Sequence, residues 1–170
     1  MAKNGKIMFI VDSALIAALY AGLTYLSALL GLAYGPLQFR VSEALTLLPV
    51  LTPAAIPGLT IGCLLSNLGS PYGMLDIVCG TIATALAAVF ARMFRELRFK
   101  NIPFFSALMP VFFNGLIVGA EISFYLGSSG AGLTGFAATA GWVALGETVV
   151  CYGLGLPLVA ALERTKLFDY

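Results

Sequence analysis

The chain has 170 residues, of which 60% are hydrophobic and 10% charged. No water-soluble domain of this size hides so much apolar surface, so a bilayer must serve as the solvent. A net charge of +1 leaves no basic stripe for nucleic acid, and the absence of histidine removes Ser-His-Asp and Cys-His catalysis and the usual metal ligation. Cys63, Cys79 and Cys151 lie in apolar runs without CxxC spacing. They read as small buried hydrophobes and not as a disulfide framework or a zinc site.

Lys3 and Lys6 precede an apolar run that superficially resembles a signal peptide. No charge occurs from Ser13 to Phe39, however, which exceeds the roughly 7–15 residues of a signal core. The stretch about 13–35 is therefore expected to be a retained first span. Small residues recur along it at four-residue spacing, with Ala14, Ala18 and Gly22 in one row and Ala17 and Ala21 in another. Such rows let a second helix approach closely, either within this chain or on a partner subunit.

A polar block follows, Tyr34-Gly35-Pro36-Leu37-Gln38-Phe39-Arg40-Val41-Ser42-Glu43. Arg40 and Glu43, three apart, share a face if a helix begins here. Such a cluster at the mouth of a span has the makings of a binding site, although an interfacial helix cap would use the same residues. Residues Ala44 to Leu75 are uncharged but interrupted by Pro49, Pro53 and Pro57. Two short helices are expected, about 40–51 and 54–68, with a turn at Leu51-Thr52-Pro53. The first is too short to cross unaided and must be tilted or shielded by neighbours.

After the turn Asn67–Gly73, a fourth helix is expected over about 74–93. Asp76 lies in its first turn, where it could cap the helix or meet a ligand. Helices over about 104–126 and 133–162 complete an all-α integral membrane bundle of six transmembrane helices. The fifth holds Asn114 and Glu121, and the sixth holds Trp142, Glu147 and Pro157. With six helices, both termini and the loop at Arg92–Lys100 share one side, which then carries every basic residue except Arg40. The positive-inside rule makes that side cytoplasmic. The whole chain, 1–170, is expected to form a single domain.

In this topology Arg40, Glu43, Asp76 and Glu121 lie toward the outer face, and Glu147 about 20 Å into the sixth helix at the standard rise. Four carboxylates against one arginine leave an excess of negative charge that a ligand rich in N–H donors, or a cation, would balance. Tyr34, Phe39, Tyr72, Tyr125 and Trp142 are aromatic residues placed to flank a flat heterocycle or to anchor the interface. There is no phosphate-binding loop and no internal repeat of the alternating-access kind, so uphill transport would need an outside energy source.

The blocks Gln38-Phe39-Arg40-Val41-Ser42-Glu43-Ala44-Leu45, Leu47-Leu48-Pro49 and Pro57-Gly58-Leu59-x-Ile61-Gly62-Cys63 resemble the QueT family. So do Leu75-Asp76-Ile77-Val78-x-Gly80-Thr81-x-Ala83-Thr84, Asn114–Gly119 with Glu121, and Gly146-Glu147 with Gly155-Leu156-Pro157. The resemblance implies an S-component type bundle in the bacterial plasma membrane, the substrate-binding part of an energy-coupling factor (ECF) importer for queuosine precursors. It implies capture of a 7-deazaguanine base outside the cell, and association with a membrane T component and two cytoplasmic ATPase subunits that use ATP. It implies no cofactor or metal in this chain, no catalytic residue and no nucleic acid; lipid is the remaining partner. The implied ligand contacts are Gln38, Phe39, Arg40, Glu43, Asn67, Tyr72, Asp76, Asn114, Glu121, Trp142 and Glu147. Glu147 or Glu43 would accept the N1–H and 2-amino donors of the base edge. Asp76 or Glu121 would meet a cationic substituent, and Arg40, Gln38 or Asn114 the O6 acceptor. One of the two small-residue rows on the first helix would dock the T component. An S component for a flavin or folate is the nearest alternative, and a lipid-modifying membrane enzyme a more distant one.

Overall fold

The computed structural model describes residues 2–34, 38–124 and 132–165. Residues 35–37, Tyr125, most of the Gly-Ser loop and Lys166 lie outside the described residues. The first helix, α1 (Ala2–Leu29), begins well before residue 13, because nothing between Ala2 and Asp12 stops a helix. It also ends short of residue 35. Gly31 adopts φ +73°, its N–H bonds Ala28 O at 2.9 Å, and the Leu32 N–H bonds Ser27 O at 2.9 Å. This pair of bonds closes a helix on a left-handed glycine.

The second helix is wound as a 3-10 helix, Val41–Val50. At a rise of about 2.0 Å per residue it reaches roughly 20 Å, against about 15 Å for an α-helix of the same length. Tighter winding therefore supplies the reach that the residue count lacks. Every residue from Ser42 to Val50 is buried, so the irregular backbone is kept from lipid by protein on all sides. At its far end the Arg92 guanidinium donates to Pro49 O (2.9 Å) and Val50 O (3.2 Å).

The next helix, α2 (Ala55–Asn67), runs parallel to α1. A Cβ on Gly58 would lie 2.8 Å from Ser13 O, and one on Gly62 would lie 2.8 Å from Tyr20 Cβ. Only glycine admits that approach. Near the other end the Tyr25 hydroxyl donates to Leu65 O at 2.9 Å. Then come α3 (Met74–Met93), α4 (Phe104–Phe124) and α5 (Leu133–Val150). A π turn, Cys151–Gly155, joins α5 to α6 (Leu156–Thr165) without a break. That wider turn precedes Pro157, whose ring does not fit a regular turn.

Helices α3 and α4 are antiparallel, tied by Ser106 Oγ donating to Ala91 O (2.9 Å) and by the Phe90 and Phe113 rings 5.1 Å apart. Helices α4 and α5 are antiparallel too, with Gly119 packed on Ala140 and Gly115 on Ala144. Chain direction thus alternates through the bundle, and both ends of the described chain fall at the same end. Among the described residues, four helical stretches are long and apolar enough to cross a membrane: Gly5–Leu29, Met74–Met93, Phe104–Phe124 and Leu133–Thr165. The 3-10 helix and α2 are the short remainder of the six. Outward-facing Leu15, Leu19, Leu26, Ile61, Val78, Ile82, Phe112 and Leu116 are exposed. Such an apolar surface suits lipid and not water.

Candidate binding site

Inside this apolar shell runs a seam of polar side chains. Arg40 precedes the 3-10 helix in extended conformation, which sends its side chain back across the bundle. Its Nε donates to Ala33 O (2.7 Å) and its Nη1 to Asn67 Oδ1 (3.4 Å), while Nη2 stands 3.9 Å from Asp76 Oδ2. The guanidinium also sits 5.2 Å from the centre of the Tyr34 ring. Asn67 Nδ2 donates to Asp76 O at 3.0 Å, fixing the start of α3 against the end of α2. Asp76 is therefore a buried partner of Arg40.

Deeper in the seam, Glu43 accepts a hydrogen bond from the Tyr20 hydroxyl. Asn114 Nδ2 donates to Glu147 Oε1 at 2.8 Å, and Cys151 Sγ lies 3.7 Å from Glu147 Oε2. Thr84 Oγ1 donates to Cys63 Sγ at 3.2 Å, and Thr24 Oγ1 to Ser42 Oγ at 2.7 Å. Cys63 and Cys151 thus meet polar groups as well as the core. Among the described residues, several buried atoms have no hydrogen-bond partner: Arg40 Nη2, Glu43 Oε2, Asp76 Oδ2 and both carboxylate oxygens of Glu121, besides the hydroxyls of Thr81 and Ser123. Buried polar groups are normally paired, and leaving one unpaired costs about 1–3 kcal/mol or more for a charge. An orphan set concentrated in one seam is the signature of a missing partner.

Between these groups lies a cavity of about 10 Å³, bordered by Gln38, Arg40, Glu43, Gly80, Thr84, Asn114, Val118, Val143 and Glu147. That volume is room for roughly one water, far short of a fused bicyclic ring. The segment carrying Gln38 closes the cavity against α5, where a Cβ on Gly146 would lie 2.0 Å from Gln38 O.

The model of the family described as QueT transporter matches residues 10–164. The chain belongs to the QueT transporter family. A Lactococcus lactis subsp. cremoris (strain MG1363) protein named Queuosine precursor transporter QueT is 37% identical over 103 residues, which is 58% of this chain and 60% of that relative. The matched stretch thus spans less than two thirds of the relative's length. No solved structure matches the chain. The family is described as one of transporters, and the long apolar helices of this chain suit a multi-pass place in a membrane.

Of the residues expected at a QueT-type site, Gln38, Arg40, Glu43, Asn114 and Glu147 border the cavity. Asn67 and Asp76 join it through Arg40, and Glu121 is buried beside them with Asp76 and Arg40 as its charged neighbours. Three others do not converge on it. Trp142 is 52% exposed, because five residues from Glu147 is about 140° around the helix. Phe39 is half-buried and bonded through its N–H to Leu32 O, and Tyr72 is half-exposed in the turn before α3. The residues that sequence reading missed are Tyr20, Gly80, Thr84, Val118 and Val143. Tyr20 carried one usable signal, an aromatic hydroxyl on the face of the small residues Ala17, Ala21 and Thr24.

The two small-residue rows of α1 have different fates. Ala17 and Ala21 are buried, Ala17 lying under Gly62 of α2. Ala14, Ala18 and Gly22 are exposed, and a Cβ on Gly22 would meet nothing within 4 Å. The first row is internal packing, and the second lies open on the surface of the bundle.

Proposed function

We propose that this chain is the substrate-capturing membrane subunit of an ECF-type importer and takes up a 7-deazaguanine queuosine precursor from outside the cell. The observation that carries the reading is the set of buried carboxylate oxygens without donors, around Arg40 and Asn114, in an otherwise apolar bundle. A deazaguanine edge supplies adjacent N–H donors to such oxygens and an O6 acceptor to the guanidinium or the amide. The printed name of the Lactococcus relative points to the same chemistry. The whole chain acts as one transmembrane domain with both ends in the cytoplasm, consistent with the basic residues at that end. It carries no cofactor; ATP is used by two partner ATPase subunits, coupled through a T component that docks on the open row Ala14, Ala18 and Gly22.

The test is a thermal-shift panel on the purified chain with deazaguanine bases, riboflavin and folate. Stabilisation by deazaguanines alone is expected. Stabilisation by riboflavin, with no response to any deazaguanine, would overturn the assignment. For the coupling arm, Ala18→Leu should leave base binding intact and abolish uptake in cells expressing the partner subunits. Uptake at the original rate would move the docking surface elsewhere.

A further inference from the structure

A 3-10 helix as long as Val41–Val50 is unusual, because its hydrogen bonds are poorly aligned and runs beyond about 3–4 residues seldom persist. Both of its ends need holding. At the first end, the Val41 N–H donates to Ser27 Oγ (3.1 Å) and Thr24 Oγ1 donates to Ser42 Oγ (2.7 Å), each partner coming from α1. At the other end the sequence removes the usual donors. The carbonyls of Pro49 and Val50 would ordinarily be met by the N–H groups of Thr52, residue 53 and Ala54. Residue 53 is a proline and has none. The Thr52 N–H goes to Leu48 O (3.0 Å), and the Ala54 N–H to Thr52 Oγ1 (3.3 Å). Arg92 takes their place from α3, its Nη1 donating to Pro49 O and Val50 O together. Arg92 does not border the cavity, and at the standard rise it lies about 24 Å along α3 from Asp76.

We propose that Arg92 is a positioning residue for Glu43: by clamping the last carbonyls of the 3-10 helix to α3, it keeps the winding that places Glu43 on the cavity wall. The two ends are mechanically linked. A 3-10 helix turns about 120° per residue and an α-helix about 100°, so rewinding from Pro49 back to Glu43 swings that side chain by about 120° and draws it in by about 3 Å. Such a swing takes the carboxylate off the wall it now shares with Thr84, Asn114 and Glu147. Pro53 and Arg92 work as one device. The proline leaves two carbonyls without main-chain donors, and a charge-assisted bond from another helix meets them. Main-chain donors would have let the helix run on; the guanidinium stops it at Val50 and fixes its end in the bundle. The effect on affinity rests on the reading that the cavity holds a deazaguanine, whereas the clamp is a property of the unliganded chain.

The test has a ligand-free arm and a binding arm, both on the purified full chain in nanodiscs. In hydrogen exchange followed along Val41–Val50, Arg92→Gln should speed exchange by about tenfold as far back as Glu43. Arg92→Lys, which keeps a cationic donor, should give a smaller rise. A rise confined to Leu48–Val50 would make Arg92 a cap of the last turn alone and overturn the proposal, as would no rise. In titration with 7-aminomethyl-7-deazaguanine, Arg92→Gln should weaken binding by about tenfold in the wild-type background and by less than about twofold in the Glu43→Gln background, because the clamp acts through that carboxylate. An equal loss in both backgrounds overturns it. Should Glu43→Gln bind too weakly to titrate, the exchange arm decides; should Arg92→Gln not fold, Arg92→Lys carries both arms with the same signs and smaller sizes. No binding by the wild-type chain, with exchange raised through Glu43, overturns the deazaguanine reading and leaves the clamp standing.

Discussion

The polar seam has an outer layer and a deeper, inner one, which use the same residue types and satisfy them differently. In the inner layer, Glu43 on the 3-10 helix and Glu147 on α5 each accept a hydrogen bond, from Tyr20 of α1 and Asn114 of α4, although Glu43 Oε2 stays unpaired. In the outer layer, the Arg40 guanidinium is shared among Ala33 O, Asn67 and Asp76, and neither Glu121 oxygen has a hydrogen-bond partner among the described residues. The contrast teaches that carboxylate count alone does not describe a site in a membrane protein; the donors built around each acid do.

The largest disturbance of that contrast should come from Arg40→Met. It strands Asp76 as a buried carboxylate, a loss of about 3–5 kcal/mol by comparison with other broken buried pairs. A large fall in the Tm of the purified chain is expected; an unchanged Tm would show that Arg40 does not hold the outer layer. Tyr20→Phe acts on the inner layer by removing only the donor to Glu43. A cost of about 1–3 kcal/mol is expected, read by the same melting curve, with base affinity falling because Glu43 loses its orientation. The smallest effect should come from Trp142→Ala. Its ring lies on the outer face of α5, so base affinity measured by titration should change by less than about 0.5 kcal/mol. A larger loss would return Trp142 to the site.

Much of this was legible in the residues, for a physical reason. A charge in an apolar run is too costly to be incidental, so Arg40, Glu43, Asp76, Glu121 and Glu147 announced themselves, and all five are buried in one seam. Angular position was harder to read. Depth along a helix follows from counting, but Trp142 and Glu147 are separated by angle around it, and counting toward the outer face hid that. The winding of Val41–Val50 was illegible because Pro49 interrupts an α-helix and a 3-10 helix alike. The expected end of the first span near residue 35 overshot because Gly31 takes a left-handed φ of +73° and closes the helix there. Tyr20 escaped because a tyrosine in an apolar helix looks like packing until its hydroxyl is traced to a partner. The two rows on α1 could not be ranked from composition; they separate only once Gly58 and Gly62 of α2 are seen against the Ser13–Tyr20 stretch of α1.

The most direct measurement is the dissociation constant of the purified chain for a 7-deazaguanine base, with and without Glu147→Gln. Losing one charge-assisted hydrogen bond should weaken binding by about 1.5–3 kcal/mol, or roughly 10–150-fold. Equal affinity in the two proteins, or no binding by either, would contradict the claim that the buried acids exist to hold the base.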